Sequence, residues 1–238
     1  MLFNVRHENA TTSFWAATDR LTEDQISPMN RPSWIFTVTA VITATTGLPA
    51  YAATINQGDP VVIIHADGPQ ASVCTAGYVD KTNSQIYTAG HCGQDGDTVT
   101  DGTFQKIGVF QPSPTYDHSL DTGNDIGVVS LDDPATAGEN SYSGDSTLFP
   151  TDVQTGETVC IYGNTTGRVS CGLAADREAY QIEDNALQVQ NVHAQRGDSG
   201  GPVWVPEKGA VGVVSTTWNI IDGNGQQLGS YITANSPW

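Results

Sequence analysis

Basic residues are the scarcest charged class in this 238-residue chain. Nine Lys and Arg stand against 26 Asp and Glu, which leaves a formal net charge of −17 at pH 7. Because the binding of a phosphate backbone requires clustered Lys and Arg, nucleic-acid binding is excluded as a main function. The acidic excess itself names no partner, since a high net charge mainly keeps a protein soluble and opposes self-association.

The chain also lacks any long stretch of helical periodicity, any heptad pattern and any internal repeat. From residue 60 onward its apolar residues come in short β-rich runs, and Gly, Asp, Asn, Ser and Pro lie between them. Examples are PVVIIHA, SQIYTAGH, DIGVVSL and AVGVVSTTW. Short strands joined by turn residues predict an all-β sandwich or barrel. One or two closed antiparallel barrels would leave no exposed strand edge.

Cysteine is rare, and its pattern argues against a metal site. The four residues are Cys74, Cys92, Cys160 and Cys171, with no C-x-x-C among them. Their spacings match no zinc-binding pattern, whereas an oxidising compartment allows an even set to pair. Four cysteines permit three connectivities, of which we favour Cys74 with Cys92 and Cys160 with Cys171. A disulfide that closes a loop of this size stabilises a fold by about 3 kcal/mol, because it lowers the conformational entropy of the unfolded chain.

An apolar, threonine-rich run lies near the amino terminus, at residues 34–52. It ends in Ala50-Tyr51-Ala52, the small-x-small pattern that precedes a signal-peptidase cut. Ala53 is then the expected first residue of the mature protein. A membrane anchor is the alternative interpretation, but the run is short, rich in Thr and interrupted by Pro49.

Residues 1–28 do not fit the basic start of a signal peptide, because acids outnumber bases in them. A better start is Met29, which is followed by a segment whose only charge is Arg31. We therefore expect residues 1–28 to be a disordered upstream extension and residues 29–52 a signal peptide. Residues 53–238 are expected to form the mature domain.

Three separate stretches contain the residue types that nucleophilic catalysis requires. A serine becomes a nucleophile only when a base takes its proton and a third group orients that base. Ser199 lies in GDSGGP, whose glycines allow a sharp backbone bend, and His91 lies in SQIYTAGHC beside Cys92. Asp125 begins the apolar run DIGVVSL, where a carboxylate needs hydrogen-bond donors. We expect His91, Asp125 and Ser199 to meet in space.

Other aspartates compete for these roles. Asp117 and Asp121 lie in the polar stretch TYDHSLDTGND, without an apolar strand directly after them, which favours Asp125. A different interpretation is a calcium-dependent module built on Asp95, Asp97 and Asp101. That spacing lacks the later glutamate of a calcium-binding loop.

The ordered motifs TAGHC, NDIGVV and GDSGGP resemble the histidine, aspartate and serine motifs of chymotrypsin-like serine proteases. TTGRVSCG and NVHAQRGDSGGPV further resemble the bacterial secreted streptogrisin branch. The resemblance covers residues 55 to about 235. It implies an all-β fold of two antiparallel six-stranded β-barrels, in lobes of about residues 53–140 and 141–238, with the active site in the cleft between them. It also implies a secreted serine endopeptidase that acts on polypeptides without cofactor or metal. The sequence leaves the oligomeric state open, and we expect a monomer.

The resemblance implies a role for each matched residue. His91 would be the general base, Asp125 its orienting partner and Ser199 the nucleophile. The backbone N–H groups of Gly197 and Ser199 would form the oxyanion hole. The residues expected to contact substrate are His193, Ala194, Arg196, Ser215, Thr216 and Thr217. Because the pocket segment contains no acid and β-branched threonines narrow it, we expect small or medium apolar residues before the scissile bond.

The chain departs from the streptogrisin pattern at two positions. His193 stands where that branch carries a cysteine bracing the specificity pocket. The arginine that pairs with the aspartate matching Asp198 is replaced by Ile161 and Tyr162, and Arg168 or a new amino terminus could substitute for it. These departures keep an alternative open, namely a non-catalytic exported binding protein that retains the protease fold.

Overall fold

The computed structural model describes residues 4–8, 54–120, 123–221, 224 and 226–238, with the backbone alone for residues 4–8, 221 and 228. The expected signal peptide and the Met29 start lie outside the described residues. Strand β1 spans Asn4–Glu8, so these five residues differ from the disorder expected for residues 1–28. Among the described residues, no helix combines the length and apolar character needed to cross a bilayer.

Seven short strands form the first sheet, in the antiparallel order β3-β2-β6-β7-β8-β5-β4. They are β2 (Pro60–Ile64), β3 (Ala71–Thr75), β4 (Tyr78–Asp80), β5 (Gln85–Thr88), β6 (Thr98–Thr100), β7 (Lys106–Pro112) and β8 (Gly127–Leu131). β-Branched and aromatic residues suit half-buried strands, and such residues fill this core. Its fully buried members include Val61, Ile63, Ile86, Val99, Phe110 and Val129.

The first sheet closes into a barrel at Ala76 and Gly77. These two residues join β3 directly to β4. Because β3 and β4 lie at opposite ends of the strand order, they are the two halves of one bent strand. The N–H of Ala76 donates to the carbonyl of Asp59, and the N–H of Gly77 donates to the carbonyl of Tyr87, both at 2.8 Å. With this bent strand counted once, the first barrel has six strands.

The second barrel has strand order β13-β12-β9-β10-β11-β14 and closes through direct pairing of β13 with β14. Its strands are β9 (Thr158–Gly163), β10 (Arg168–Ala174), β11 (Ala186–Gln190), β12 (Pro202–Val205), β13 (Gly209–Ile221) and β14 (Gln227–Asn235). One short helix, α1 (Arg177–Tyr180), follows β10. The core includes Val159, Ile161, Leu187, Val203, Val211 and Ile232. The expected fold of two antiparallel six-stranded barrels is confirmed.

Strand β1 adds a further strand to the second sheet. It pairs antiparallel with β13, so that Glu8 lies opposite Thr217 and Asn4 lies opposite Ile221. An edge strand presents unpaired N–H and C=O groups, and a neighbouring segment of chain can satisfy them. This pairing explains why residues 4–8 form a strand where the sequence predicts disorder.

Both disulfides join the cysteine pairs favoured from the sequence. Cys74 bonds to Cys92 and so ties β3 to the 3-10 turn Gly90–Cys92. Cys160 bonds to Cys171 across the β9–β10 pair, where the two residues lie directly opposite each other. Each disulfide therefore braces one of the two regions that hold the candidate site.

Candidate active site

His91 and Asp125 are brought together by the neighbouring strands β5 and β8. His91 lies in the 3-10 turn after β5, beside the disulfide-bonded Cys92, and Asp125 lies just before β8. Asp125 Oδ2 accepts a hydrogen bond from His91 Nδ1 at 2.8 Å, and Oδ1 accepts one from the His91 backbone N–H at 2.7 Å. An ionised carboxylate only accepts hydrogen bonds, so neutral His91 carries its hydrogen on Nδ1 and its lone pair on Nε2. The ring is thus oriented as a base.

Asp125 receives a further hydrogen bond from the second barrel. The hydroxyl of Ser215, in β13, donates to Asp125 Oδ2 at 2.5 Å. Asp125 is only 4% exposed. Burial by itself would raise the pKa of Asp125, but the charge interaction with His91 and the hydrogen bonds from His91 and Ser215 hold that pKa below its ordinary value. The carboxylate therefore stays ionised where the imidazole titrates.

Ser199 lies on the loop between β11 and β12, and the first barrel holds that loop in place. The carbonyl of Ser199 accepts from the N–H of Thr75 at 2.8 Å. A Cβ atom on Gly200 would lie 2.7 Å from the amide nitrogen of Ala89, so the loop packs directly against the segment that carries His91. The sequence stretches TAGHC and GDSGGP therefore meet, as expected.

The hydroxyl of Ser199 is buried and has no hydrogen-bond partner among the described residues. Buried polar side chains in native proteins are nearly always paired, and exceptions are often found at catalytic positions. Hydrogen bonds between catalytic groups also commonly tighten only when substrate is bound. The unpaired hydroxyl therefore makes Ser199 a candidate catalytic residue.

The loop of Ser199 has an unusual backbone conformation and leaves two amides without an acceptor among the described residues. Gly197 and Gly200 adopt φ values of +93° and +80°, which favour glycine. The N–H of Gly200 donates to the carbonyl of Val214 at 2.7 Å. In the described part of the chain, no acceptor receives the N–H of Gly197 or the N–H of Ser199. These two amides are the ones expected from the sequence to bind an oxyanion.

Asp198 is buried beneath this loop at 1% exposure, and neutral groups bind its carboxylate. Oδ1 accepts the N–H of Thr165 at 3.0 Å and the N–H of Thr166 at 2.8 Å. Oδ2 accepts the Thr166 hydroxyl and, at 2.9 Å, the N–H of Gln195. Arg168 is exposed, and no ion pair to Asp198 occurs between described residues. Arg168 is therefore not a partner of Asp198, whereas the expected new amino terminus, Ala53, lies outside the described residues.

The residues expected to contact substrate differ in exposure. Ala194 and Ser215 are buried, Thr216 and Thr217 are half-buried, and His193 and Arg196 are exposed. The hydroxyl of Thr217 donates to the carbonyl of Ala194 at 3.2 Å, so two walls of the expected pocket touch each other. Beside Asp125 and Ser215 lies a cavity of about 320 Å³, and Tyr116 and Trp218 contribute to its walls.

The other aspartates singled out from the sequence stand apart from this site. Asp117 is exposed and accepts from the N–H of Ser119 at 2.8 Å, and Asp121 lies outside the described residues. Asp97 accepts from His65 Nδ1 at 2.8 Å. Over the described ranges, no group of three or more His, Cys, Asp and Glu side chains is placed to hold a metal ion. This applies to the set Asp95, Asp97 and Asp101.

Sequence reasoning missed the groups that hold the Ser199 loop. Thr165 and Thr166 appear in the sequence only as a pair between Gly163 and Gly167, and Thr75 only as the neighbour of a cysteine. Most of their contacts use backbone N–H groups, which every non-proline residue has. One feature of the sequence could have indicated these contacts, namely the turn between β9 and β10, which a disulfide braces. A rigid turn can direct several backbone N–H groups at one carboxylate.

Comparisons with known proteins agree with this fold. The family described as Trypsin matches residues 50–238. Two uncharacterized proteins from strains of Mycobacterium tuberculosis are each 29% identical over 201 residues, which is 77% of this chain and 85% of theirs. Among solved structures, Nocardiopsis protease (NAPase) is similar with 24% identity and a TM-score of 0.52, covering 77% of this chain and 93% of its own. That structural similarity supports the fold alone.

Proposed function

Because this chain belongs to the trypsin family, we propose that it is a secreted serine endopeptidase of the streptogrisin-like branch. Ser199 is the nucleophile, His91 the general base and Asp125 the group that orients His91. The observation that carries the proposal is the hydrogen-bonded series from Ser215 through Asp125 to His91, beside the loop of Ser199. It supplies the oriented base that a serine requires.

In the proposed reaction, Ser199 Oγ bonds to the carbonyl carbon of a peptide while His91 Nε2 takes the hydroxyl proton. The carbonyl oxygen becomes an oxyanion and accepts the N–H groups of Gly197 and Ser199, each worth about 3 to 4 kcal/mol. The proton then passes to the leaving amine as the C–N bond breaks, and an ester on Ser199 remains. A water molecule hydrolyses the ester by the same route, and ionised Asp125 stabilises the imidazolium at each stage.

The proposed preference is for small or medium apolar residues before the scissile bond. Thr217 supports this preference, since its hydroxyl donates a hydrogen bond to the carbonyl of Ala194. A β-branched residue has little freedom to rotate out of such a position. Two disulfides and the signal-like run of residues 34–52 support export, because disulfides form and persist in oxidising compartments.

Labelling with a serine-directed fluorophosphonate tests the proposal. Culture medium from cells that express the full chain should contain a labelled protein whose first residue is Ala53 and whose label is on Ser199. The Ser199→Ala variant should fold normally but take up no label, since the hydroxyl supplies the nucleophile and little packing.

A matched control is available in the first barrel. Ser72 lies 2.8 Å from His65 Nε2, and His65 Nδ1 lies 2.8 Å from Asp97, so Ser72 shares the hydrogen-bonding pattern without the oxyanion amides. Ser72→Ala should leave labelling unchanged. Folded wild-type protein that takes up no label on Ser199 would favour the alternative, a non-catalytic exported binding protein.

A further inference from the structure

Asp198 lies between the two residues whose amides form the proposed oxyanion hole. The Ser199 N–H shares a peptide unit with the Asp198 carbonyl, and the Gly197 carbonyl shares one with the Asp198 N–H, so only the Gly197 residue separates Asp198 from the Gly197 N–H. Asp198 is 1% exposed, which leaves its carboxylate to be satisfied by protein groups. Whatever holds this carboxylate therefore also sets the geometry of the oxyanion hole.

The turn between β9 and β10 is shaped to receive that carboxylate. Its ends are tied by a 2.8 Å hydrogen bond from the N–H of Gly167 to the carbonyl of Gly163. A Cβ atom on Gly163 would lie 2.1 Å from Asp198 Cγ, so the carboxyl group rests on bare backbone. Thr165 and Thr166 follow, and they direct two N–H groups and one hydroxyl at the two carboxylate oxygens. We call residues 163–167 the threonine turn.

A second contact ties the same turn to the loop through Thr75. The N–H of Asn164 donates to the Thr75 hydroxyl at 3.1 Å, and that hydroxyl donates to the carbonyl of Gly197 at 2.8 Å. Thr75 is fully buried. The threonine turn thus holds the loop at Asp198 directly and at Gly197 through Thr75.

We propose that Thr166 is a positioning residue for the oxyanion hole, and that the threonine turn performs this task without a cation. The inference rests on the proposed function. Three of the four donors to Asp198 are backbone N–H groups, and the Thr166 hydroxyl is the remaining one. Because both oxygens already accept two hydrogen bonds, the described residues hold the loop in this shape without an ion pair to an arginine.

Removal of the Thr166 hydroxyl tests this role. Thr166→Val keeps the side-chain shape, and it should lower kcat for a peptide ester by about tenfold to a hundredfold, the equivalent of one hydrogen bond to a charged group. KM should stay within about twofold, since the oxyanion amides act mainly in the transition state. Thr166→Ser keeps the hydroxyl and should restore most of kcat.

Two control variants separate positioning from other effects. Arg168→Gln removes the previously expected cation from the same hairpin and should leave kcat unchanged. Thr103→Val removes a comparable 2.8 Å hydroxyl bond to the buried Asp101, far from the site, and should lower stability without changing kcat. The proposal would be overturned if Thr166→Val kept the wild-type kcat. It would also be overturned if Arg168→Gln lowered kcat as much as we expect Thr166→Val to lower it.

Amide hydrogen exchange provides a readout that does not depend on catalysis. In Thr166→Val, the peptide covering residues 195–201 should exchange faster, whereas in Thr103→Val it should exchange as in the wild type. If the wild type hydrolyses no ester, the proposed function fails and the exchange measurement alone decides the anchoring role. Unchanged exchange over residues 195–201 in Thr166→Val would refute that role.

Discussion

Thr217 places one side chain between two walls of the expected substrate pocket. Its hydroxyl reaches the carbonyl of Ala194 at 3.2 Å, and both residues were identified from the sequence as substrate contacts. A side chain entering the pocket has to share this space. In the proposed function, the rejection of large residues depends on a few atoms, since one methylene group in such a pocket is worth about 1 to 3 kcal/mol.

Thr217→Gly should therefore broaden the preference. Removal of the side chain opens the slot, and we expect cleavage after Phe or Leu to gain at least about tenfold over cleavage after Ala. Thr217→Ser keeps the hydroxyl and should stay near the wild-type ratio. Digestion of a peptide library measures these ratios. A wild-type enzyme that cuts mostly after Arg, Lys, Phe or Tyr would refute the assigned preference.

Individual residues differ in how readily the sequence reveals them. His91 and Ser199 could be predicted because their neighbours, a cysteine and a set of glycines, are unusual and functionally necessary. Asp125 could be predicted because an acid before an apolar strand needs a partner. The partners of Asp198 could not, since the contacts to Thr165 and Thr166 span 33 and 32 positions and use mainly backbone N–H groups.

At the level of elements, the bend between β3 and β4 both closes the first barrel and touches the Ser199 loop. A Cβ atom on Gly77 would lie 2.3 Å from the carbonyl oxygen of Gly200 and 2.4 Å from a methyl group of Val213. The bend therefore belongs to the packing between the barrels. The sequence predicts the short strands from their apolar runs, but it does not predict this bend, because the contact with Gly200 that requires glycine is distant along the chain.

Gly77→Ala should consequently affect stability and activity together. The added methyl group overpacks a rigid contact, and we expect the free energy of unfolding to fall by about 1 to 3 kcal/mol. The kcat should also fall, because the carbonyl of Gly200 is pushed away beside Ser199. Gly68→Ala is the matched control, since a Cβ atom there would have no neighbour within 4 Å. Urea unfolding and ester hydrolysis measure the two effects, and equal behaviour of both variants would count against this view of the bend.

At the level of the whole molecule, electrostatics is dominated by acidic residues, which number 26 against nine basic ones. Asp97, Asp101 and Asp125 are three of the four buried aspartates among the described residues. Burial by itself would raise the pKa of each, but their hydrogen bonds, together with His65 beside Asp97 and His91 beside Asp125, hold each pKa below the ordinary value of 3.8. At acid pH the unfolded chain then binds more protons than the native protein.

Stability should therefore fall in acid. These carboxylates contribute to the free energy of unfolding. Their contribution is fully present at pH values above the ordinary pKa, and it is lost as the pH falls through the lower pKa of the folded state. We expect the free energy of unfolding to be constant from pH 7 to about 5 and to decrease below about pH 4. Urea unfolding across this range, in enough salt to screen the net charge of −17, isolates the effect. Greater stability at pH 3 than at pH 6 would disprove it.

The division of the candidate site between two barrels determines when, during synthesis, the chain becomes active. His91 and Asp125 leave the ribosome first, and Ser199 with its two amides and then Ser215 follow. At roughly 5 to 20 residues per second, a growing chain has its base but no nucleophile for several seconds after Asp125 has been made. Even after Ser199 is made, Asp125 lacks the Ser215 hydroxyl until β13 is complete. In the proposed mechanism, a truncated or interrupted product is therefore inert, and the nearly complete chain is the first form able to cut a peptide.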